Sequence, residues 1–351
     1  MTSPKSKQLL PARRAFTLVE LLISMAIICL IMIMLVQVTG ATQRLWVDGR
    51  SKASEFRESR TAFESMTRQI GQATLNTYWD YDTPSLPSKY IRQSDLHFVV
   101  DQASNLLQLG DPTPTHAIFF QGPIGVDEQK SNDILDDTIN AWGYYLDYGS
   151  DLSLRPSFLA DGQRIPGRIR SRLMEFRQPS ERLQVFGLNL RGMTSTTRSD
   201  YYTWFSGSTD SNIVTYSSHP IAENIIALVI SPRLSLPLKG GQPDPAEYTT
   251  VAPNYLYDSR EFQWNTASDP RVQLSRNQLT PAVQVTMVAI DEIGVQRLGN
   301  RAATLVDPTW FKQVSSYPTD LKSLTDLLTN NHANYRVFNA NVTIRNSKWS
   351  Q

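Results

Sequence analysis

The chain has 351 residues, is 40% hydrophobic, and sets 34 Lys+Arg against 33 Asp+Glu for a net charge of +1. That length supports a buried core, and the near-neutral balance argues against broad electrostatic binding to nucleic acid or acidic lipid. The single cysteine, Cys29, excludes an internal disulfide and a thiolate metal cluster.

The chain opens with a basic leader, Lys5, Lys7, Arg13 and Arg14, that contains no acid. Phe16 to Val38 then reads FTLVELLISMAIICLIMIMLVQV, broken only by Thr17, Glu20, Ser24 and Gln37. About 20 apolar residues cover the hydrocarbon layer of a bilayer, so this run predicts a transmembrane helix. Positive charge beside a first apolar helix keeps that end cytoplasmic, and the rest of the chain is expected on the far side.

A cleaved secretory signal has an apolar core of about 7–15 residues and a small-x-small site after it. This core is longer, and no such site follows before Gly40. A lipoprotein signal needs small residues just before its cysteine, where Ile27 and Ile28 stand, so Cys29 reads as a packing residue of the membrane helix. A plain signal anchor accounts for the span but not for Glu20, an acid about one turn inside it. An ionised carboxylate costs roughly 2.5–3.5 kcal/mol at the centre of such a helix, and less near an end. Glu20 either snorkels to the headgroups or awaits a cationic partner from a neighbouring subunit.

The run Arg13-Arg14-Ala15-Phe16-Thr17-Leu18-Val19-Glu20, followed by an apolar helix, resembles the class III signal of type IV pilins and type II secretion pseudopilins. The resemblance implies that a prepilin peptidase cuts between Ala15 and Phe16 and methylates the new amine of Phe16. It also implies that Glu20, the fifth mature residue, pairs with the N-terminal amine of an adjacent subunit during assembly. Opposite charges attract strongly in a low dielectric, and either alone is penalised there. The family usually carries Gly before the cut, and this chain has Ala15.

No proline interrupts the pattern from Phe16 to about Leu75, and Gly40 and Gly49 are isolated. After the membrane run, Ala53, Phe56, Phe63, Met66, Ile70 and Ala73 recur at helical spacing, opposite Lys52, Glu55, Arg57, Glu58, Glu64 and Arg68. The expected organisation is a leader over 1–15, a transmembrane half-helix over 16–39, an amphipathic half-helix over 40–75, and a β-rich head over 76–351. The aromatic stripe is expected to pack on that head rather than to form a ligand groove. Asn76 to Pro87 contains two prolines and predicts the end of the helix and an irregular loop. Within it, Asp80 and Asp82 beside Tyr78, Trp79 and Tyr81 either seal the junction of stalk and head, the preferred reading, or form a recognition surface.

From about Leu96 the period changes. Leu96–Val100, Ala117–Gln121, Trp142–Tyr148, Leu183–Asn189, Ile225–Ser231, Ala282–Asp291 and Val337–Ile344 predict strands, being rich in β-branched and aromatic residues between Pro, Gly, Asn and Asp. Helices are expected at Leu321–Leu328 and Ser171–Phe176, and long surface loops at Thr194–Ser211 and Lys239–Pro253. Ala222 to Leu228 (AENIIAL) resembles a strand-entry segment of minor pseudopilin J, and Leu279 to Val285 (LTPAVQV) resembles a later strand of that family. Phe56 to Tyr81 is similar to the pilin-like membrane proteins called Verru_Chthon cassette protein C.

The four histidines, His97, His116, His219 and His332, show no HxH or HExxH spacing and read as surface or structural residues. G-x-S-x-G, P-loop and G-x-G-x-x-G patterns are missing from the sequence. Asp133, Asp136 and Asp137 are candidate calcium ligands, but their spacing matches no EF-hand and a solvated acidic turn is preferred. The sequence thus predicts an α+β, pilin-like, non-enzymatic minor subunit without a cofactor. Its expected place is the bacterial inner membrane, with a cytoplasmic N-terminus and a periplasmic head. The expected partners are prepilin peptidase, other pilin or pseudopilin subunits, an inner-membrane assembly platform and membrane lipid, with no nucleic acid. The size of the head favours a tip or initiation complex of a type IV pilus or type II secretion-like fibre. A signal-anchored extracytoplasmic enzyme or binding protein, and a fibre-tip adhesin, are the alternatives.

Overall fold

The computed structural model describes residues 18–82, 86–107, 115–126, 138–159, 166–188, 193, 195–207, 213, 217–234, 238–239, 242–243, 251–265, 270–299 and 305–348. The chain divides into two compact units, 1–54 and 55–351. The architecture is α+β and pilin-like: a long N-terminal helix, Leu18–Ile70, apolar over Leu18–Gly40, precedes a β-rich domain with helices.

From Leu18 to Val38 the helix of the first unit carries apolar residues on every side, and its large side chains are exposed all round it. Such a helix is built for a solvent as apolar as itself. Two of its hydroxyls are satisfied within the helix: Thr39 donates to the Leu35 carbonyl at 2.7 Å, and Thr42 to the Val38 carbonyl at 2.8 Å.

The second unit holds the last turns of that helix. Phe63, Met66 and Ile70 are buried, with Ala62 and Ala73, and Phe56 packs partly against them. They meet a six-stranded antiparallel sheet in the order β11-β3-β4-β5-β6-β7. Its strands are β3 (Val99–Gln102), β4 (His116–Pro123), β5 (Ile139–Ser150), β6 (Ile169–Gln178), β7 (Ser218–Glu223) and β11 (Tyr257–Asp258). A three-stranded antiparallel sheet, β13-β12-β8, completes the same core with β8 (Ile225–Arg233), β12 (Ala282–Ile290) and β13 (Tyr335–Thr343). Two small ladders add β1 (Tyr78–Tyr81) with β2 (Tyr90–Gln93), and β9 (Leu238–Lys239) with β10 (Gln242–Pro243).

The inner strands of both large sheets are buried on both faces, whereas the edge strand β13 is largely exposed. Along β4, Ile118 and Phe120 join the helix core, while Ala117 and Phe119 face a second cluster. Along β8, Leu228 and Ile230 join the helix core, while Ala227 and Val229 face a third. This period of two follows from the pleat. The chain crosses from one sheet to the other at Asn224, where φ is 62°. Asn tolerates that left-handed conformation better than most residues. The Asn224 amide donates to the Ser171 carbonyl at 2.8 Å, and its own carbonyl accepts from Ile290 at 3.0 Å, so one residue ties both sheets.

Several expectations are corrected. Ser171–Phe176 is not a helix but the centre of β6, paired with β5 from Ile169↔Ser150 to Gln178↔Ala141. Its Leu, Met, Glu and Arg favour helix locally, and the long ladder overrides that weak preference. Leu183–Asn189 is not a strand: Gln184–Gly187 forms one helical turn, and Asn189 lies outside the described residues. Thr194–Ser211 is not a surface loop in its described part. Arg198–Tyr202 and Thr203–Ser206 are helical turns that bury Tyr201, Tyr202, Trp204 and Phe205 over the outer face of the larger sheet. Asn76–Pro87 is not wholly irregular, because Tyr78–Tyr81 forms the hairpin strand β1. The N-terminal helix ends at Ile70 rather than near Leu75, and Thr74 bridges to Gln121. Much of Lys239–Pro253 lies outside the described residues, and its buried Val251 and Ala252 belong to the core. The remaining strand expectations overlap β3, β4, β5, β8, β12 and β13, and Leu321–Leu328 lies within the helix Tyr317–Asn330.

Candidate processing and assembly site

The segment that carries the chemistry begins at the first turn of the N-terminal helix. Glu20 stands in that turn, where an acid complements the positive end of the helix dipole. Ser24 donates its hydroxyl to the Glu20 carbonyl at 2.7 Å. Within Leu18–Gly40 the mean hydropathy reaches 2.9 over 18 residues, and this is the one span among the described residues long and apolar enough to cross a membrane. Cys29 lies exposed on it. Arg13, Arg14, Ala15 and Phe16 lie outside the described residues. The site therefore presents an acid one turn into an apolar rod. A carboxylate in that setting is stabilised by a cation brought to it from the same low-dielectric layer.

The globular unit concentrates its titratable groups in internal networks. His97 and Asp258 meet at 2.8 Å with neither side chain exposed. Tyr202 donates its hydroxyl to Asp258 at 2.9 Å. His116, on β4, accepts from the Ile230 amide and donates to the Phe311 carbonyl, each at 2.9 Å. Burial pulls the His116 imidazole down to about 4, against the opposing pull of the Phe311 carbonyl. Glu175, on β6, is pushed up by burial, but bonds from His219, Tyr144 and Trp142 outweigh that and hold it below the usual carboxylate range. Burial raises Asp101 despite the Arg198 guanidinium 3.2 Å away.

These networks join residues far apart in sequence, such as His97 with Asp258, and periodicity carries no signal for them. They bind strand to strand rather than lining an open cleft. His332 stands in a turn at φ 52°. Asp133, Asp136 and Asp137 lie outside the described residues. Among the described residues no three His, Cys, Asp or Glu side chains gather as a metal site. Asp80 and Asp82 serve the β1–β2 hairpin: Asp80 accepts from the Tyr81 amide at 2.8 Å, and Asp82 from the Ser88 amide at 3.0 Å.

Residues 10–36 match the family model described as the prokaryotic N-terminal methylation motif. The match covers the end of the basic leader, Glu20 and most of the apolar span. No curated protein matches the chain, and no solved structure does. The motif is that of type IV pilin-like precursors, which prepilin peptidase processes and which assemble with other pilin subunits. With the one apolar span found among the described residues, it marks a membrane-anchored protein.

Proposed function

We propose that this chain is a minor pilin- or pseudopilin-like subunit, non-enzymatic, cut between Ala15 and Phe16 and methylated at Phe16. The observation that carries this reading is the methylation motif over residues 10–36, set on an apolar helix with an acid in its first turn. In the precursor the basic leader holds the N-terminus in the cytoplasm, and the globular unit stands in the periplasm. Cleavage frees the Phe16 amine at the edge of the bilayer. That cation meets Glu20 of a neighbouring subunit, and the pair sets the register of the helices. Packing of the apolar surfaces against other helices replaces lipid contacts.

The extent of the globular part, with two large sheets and three buried clusters, favours a subunit at a fibre tip or in an initiation complex. An inner-membrane platform assembles it. Glu20→Ala tests the pairing. The variant is expected to insert in the membrane and be cut as the native chain is, yet to be lost from assembled fibres. Incorporation at the native level would refute the role of Glu20.

A further inference from the structure

Beside the β1–β2 hairpin lies a cleft of about 310 Å³. Trp79, Arg92, Asn277, Gln278, Asn346 and Lys348 supply its chemistry. Trp79 and Arg92 face each other across the hairpin ladder, with the guanidinium 5.8 Å from the ring centroid. Trp79 is 66% exposed, although residues with aromatic rings of that size are usually buried.

Two further observations point to a ligand. The first is charge. No acidic side chain lines the cleft, and neither Arg92 nor Lys348 has an ion-pair partner among the described residues. Arg276, next to Asn277, is pulled down by burial and then by the charge of Arg92, so like charges crowd this wall. The second is an orphan acceptor. Asn277 is fully buried, and its Nδ2 donates to the Arg92 carbonyl at 2.7 Å, which fixes the orientation of the amide. Its Oδ1 has no hydrogen-bond partner among the described residues. Buried acceptors are usually paired, and among the atoms left in that state this one belongs to a residue that lines the cleft.

These features select among ligands. Inorganic phosphate satisfies the cations but offers Asn277 little to accept from and leaves the ring unused. A neutral sugar satisfies the ring and the amides but leaves the cations uncompensated. An acidic peptide reaches the cations with flexible side chains but brings no flat, hydroxyl-bearing face. We infer that the cleft binds an acidic saccharide, its pyranose face on Trp79, its carboxylate on Arg92 and Lys348, and its hydroxyls on Asn277, Gln278 and Asn346. Arg is suited to carboxylates because its planar fork donates two parallel bonds. This role goes beyond assembly and holds whether or not the leader is cut.

The test is calorimetric titration of the full chain in detergent micelles with trigalacturonate. Maltotriose, an oligoglutamate peptide and inorganic phosphate serve as comparison probes. Saturable binding is expected for trigalacturonate, about tenfold or more tighter than for any of the others. Arg92→Gln and Trp79→Ala are each expected to weaken it about tenfold, and Lys348→Ala to weaken it less. Trp79 and Lys348 are exposed, so their variants keep the fold. Failure of trigalacturonate to bind, equal binding of maltotriose or the peptide, or undiminished binding by Trp79→Ala and Lys348→Ala would overturn the inference.

Discussion

Trp204 donates its indole N–H to Nδ1 of His97 across 3.1 Å, and neither residue is exposed. An indole can only donate, so Nδ1 accepts, and the imidazole proton sits on Nε2 facing Asp258 at 2.8 Å. The chain Trp204–His97–Asp258 thus has one direction, and Tyr202 closes it by donating to the second carboxylate oxygen at 2.9 Å. His97→Phe would remove a donor from a buried carboxylate and an acceptor from a buried indole. The expected loss is about 2–5 kcal/mol, read as a lowered melting temperature of the full chain in detergent. An unchanged melting temperature would show that the network contributes nothing to stability.

His116 sets a pH dependence. An unfolded imidazole titrates near 6.5, whereas the folded one is held at about 4 by burial. Between those values the unfolded chain takes up a proton and the folded chain does not. Stability from this residue is therefore complete above about pH 6.5 and falls as the pH drops to about 4, by roughly 3 kcal/mol in all. The melting temperature should decline across that window, and His116→Gln should flatten this part of the slope whatever its absolute stability.

Gly143 is required by close approach. A Cβ there would lie 2.3 Å from Cδ1 of Phe119 and 2.9 Å from the Ile118 carbonyl oxygen. The Phe119 ring cannot retreat easily: it stacks on Phe205 at 4.0 Å and 6°, with Phe176 and Trp204 against it edge-on. Gly143→Ala is expected to cost about 1–3 kcal/mol through overpacking. Thermal denaturation followed by near-ultraviolet circular dichroism would measure it.

The departure at Ala15 gives a kinetic prediction. A small residue before the cut lets the peptide bond approach the peptidase, and a large one obstructs it. Ala15→Gly should be processed at least as fast as the native chain, and Ala15→Phe should accumulate as precursor. A time course of cleavage with purified prepilin peptidase, resolved on gels, checks both. Equal rates for all three chains would remove Ala15 from the recognised surface.

The N-terminal third was largely legible in the sequence because its signals are local. Hydropathy marks the span, and the spacing of Phe56, Phe63, Met66 and Ile70 marks the buried helix face. Strands such as β12 were legible because their residues alternate or favour the pleat. The hidden parts depend on partners distant in the chain. Leu173, Met174 and Glu175 made the centre of β6 read as a helix, yet its ladder with β5 decides the strand, and Arg170 beside it is held by Glu292, 122 residues away, at 2.6 Å. Likewise, Tyr201 to Phe205 looked like a loop among polar residues until the outer face of the larger sheet gave those rings a place to pack. At the candidate site the sequence named Glu20, but the orphan acceptor of Asn277 in the hairpin cleft could be found only in three dimensions.

Intact-mass spectrometry of the chain isolated from membranes of cells that make prepilin peptidase tests the central claim most directly. The account predicts a species that lacks residues 1–15 and carries one added methyl group on the amine of Phe16. A chain that retains Met1 and the basic leader in those membranes would contradict it.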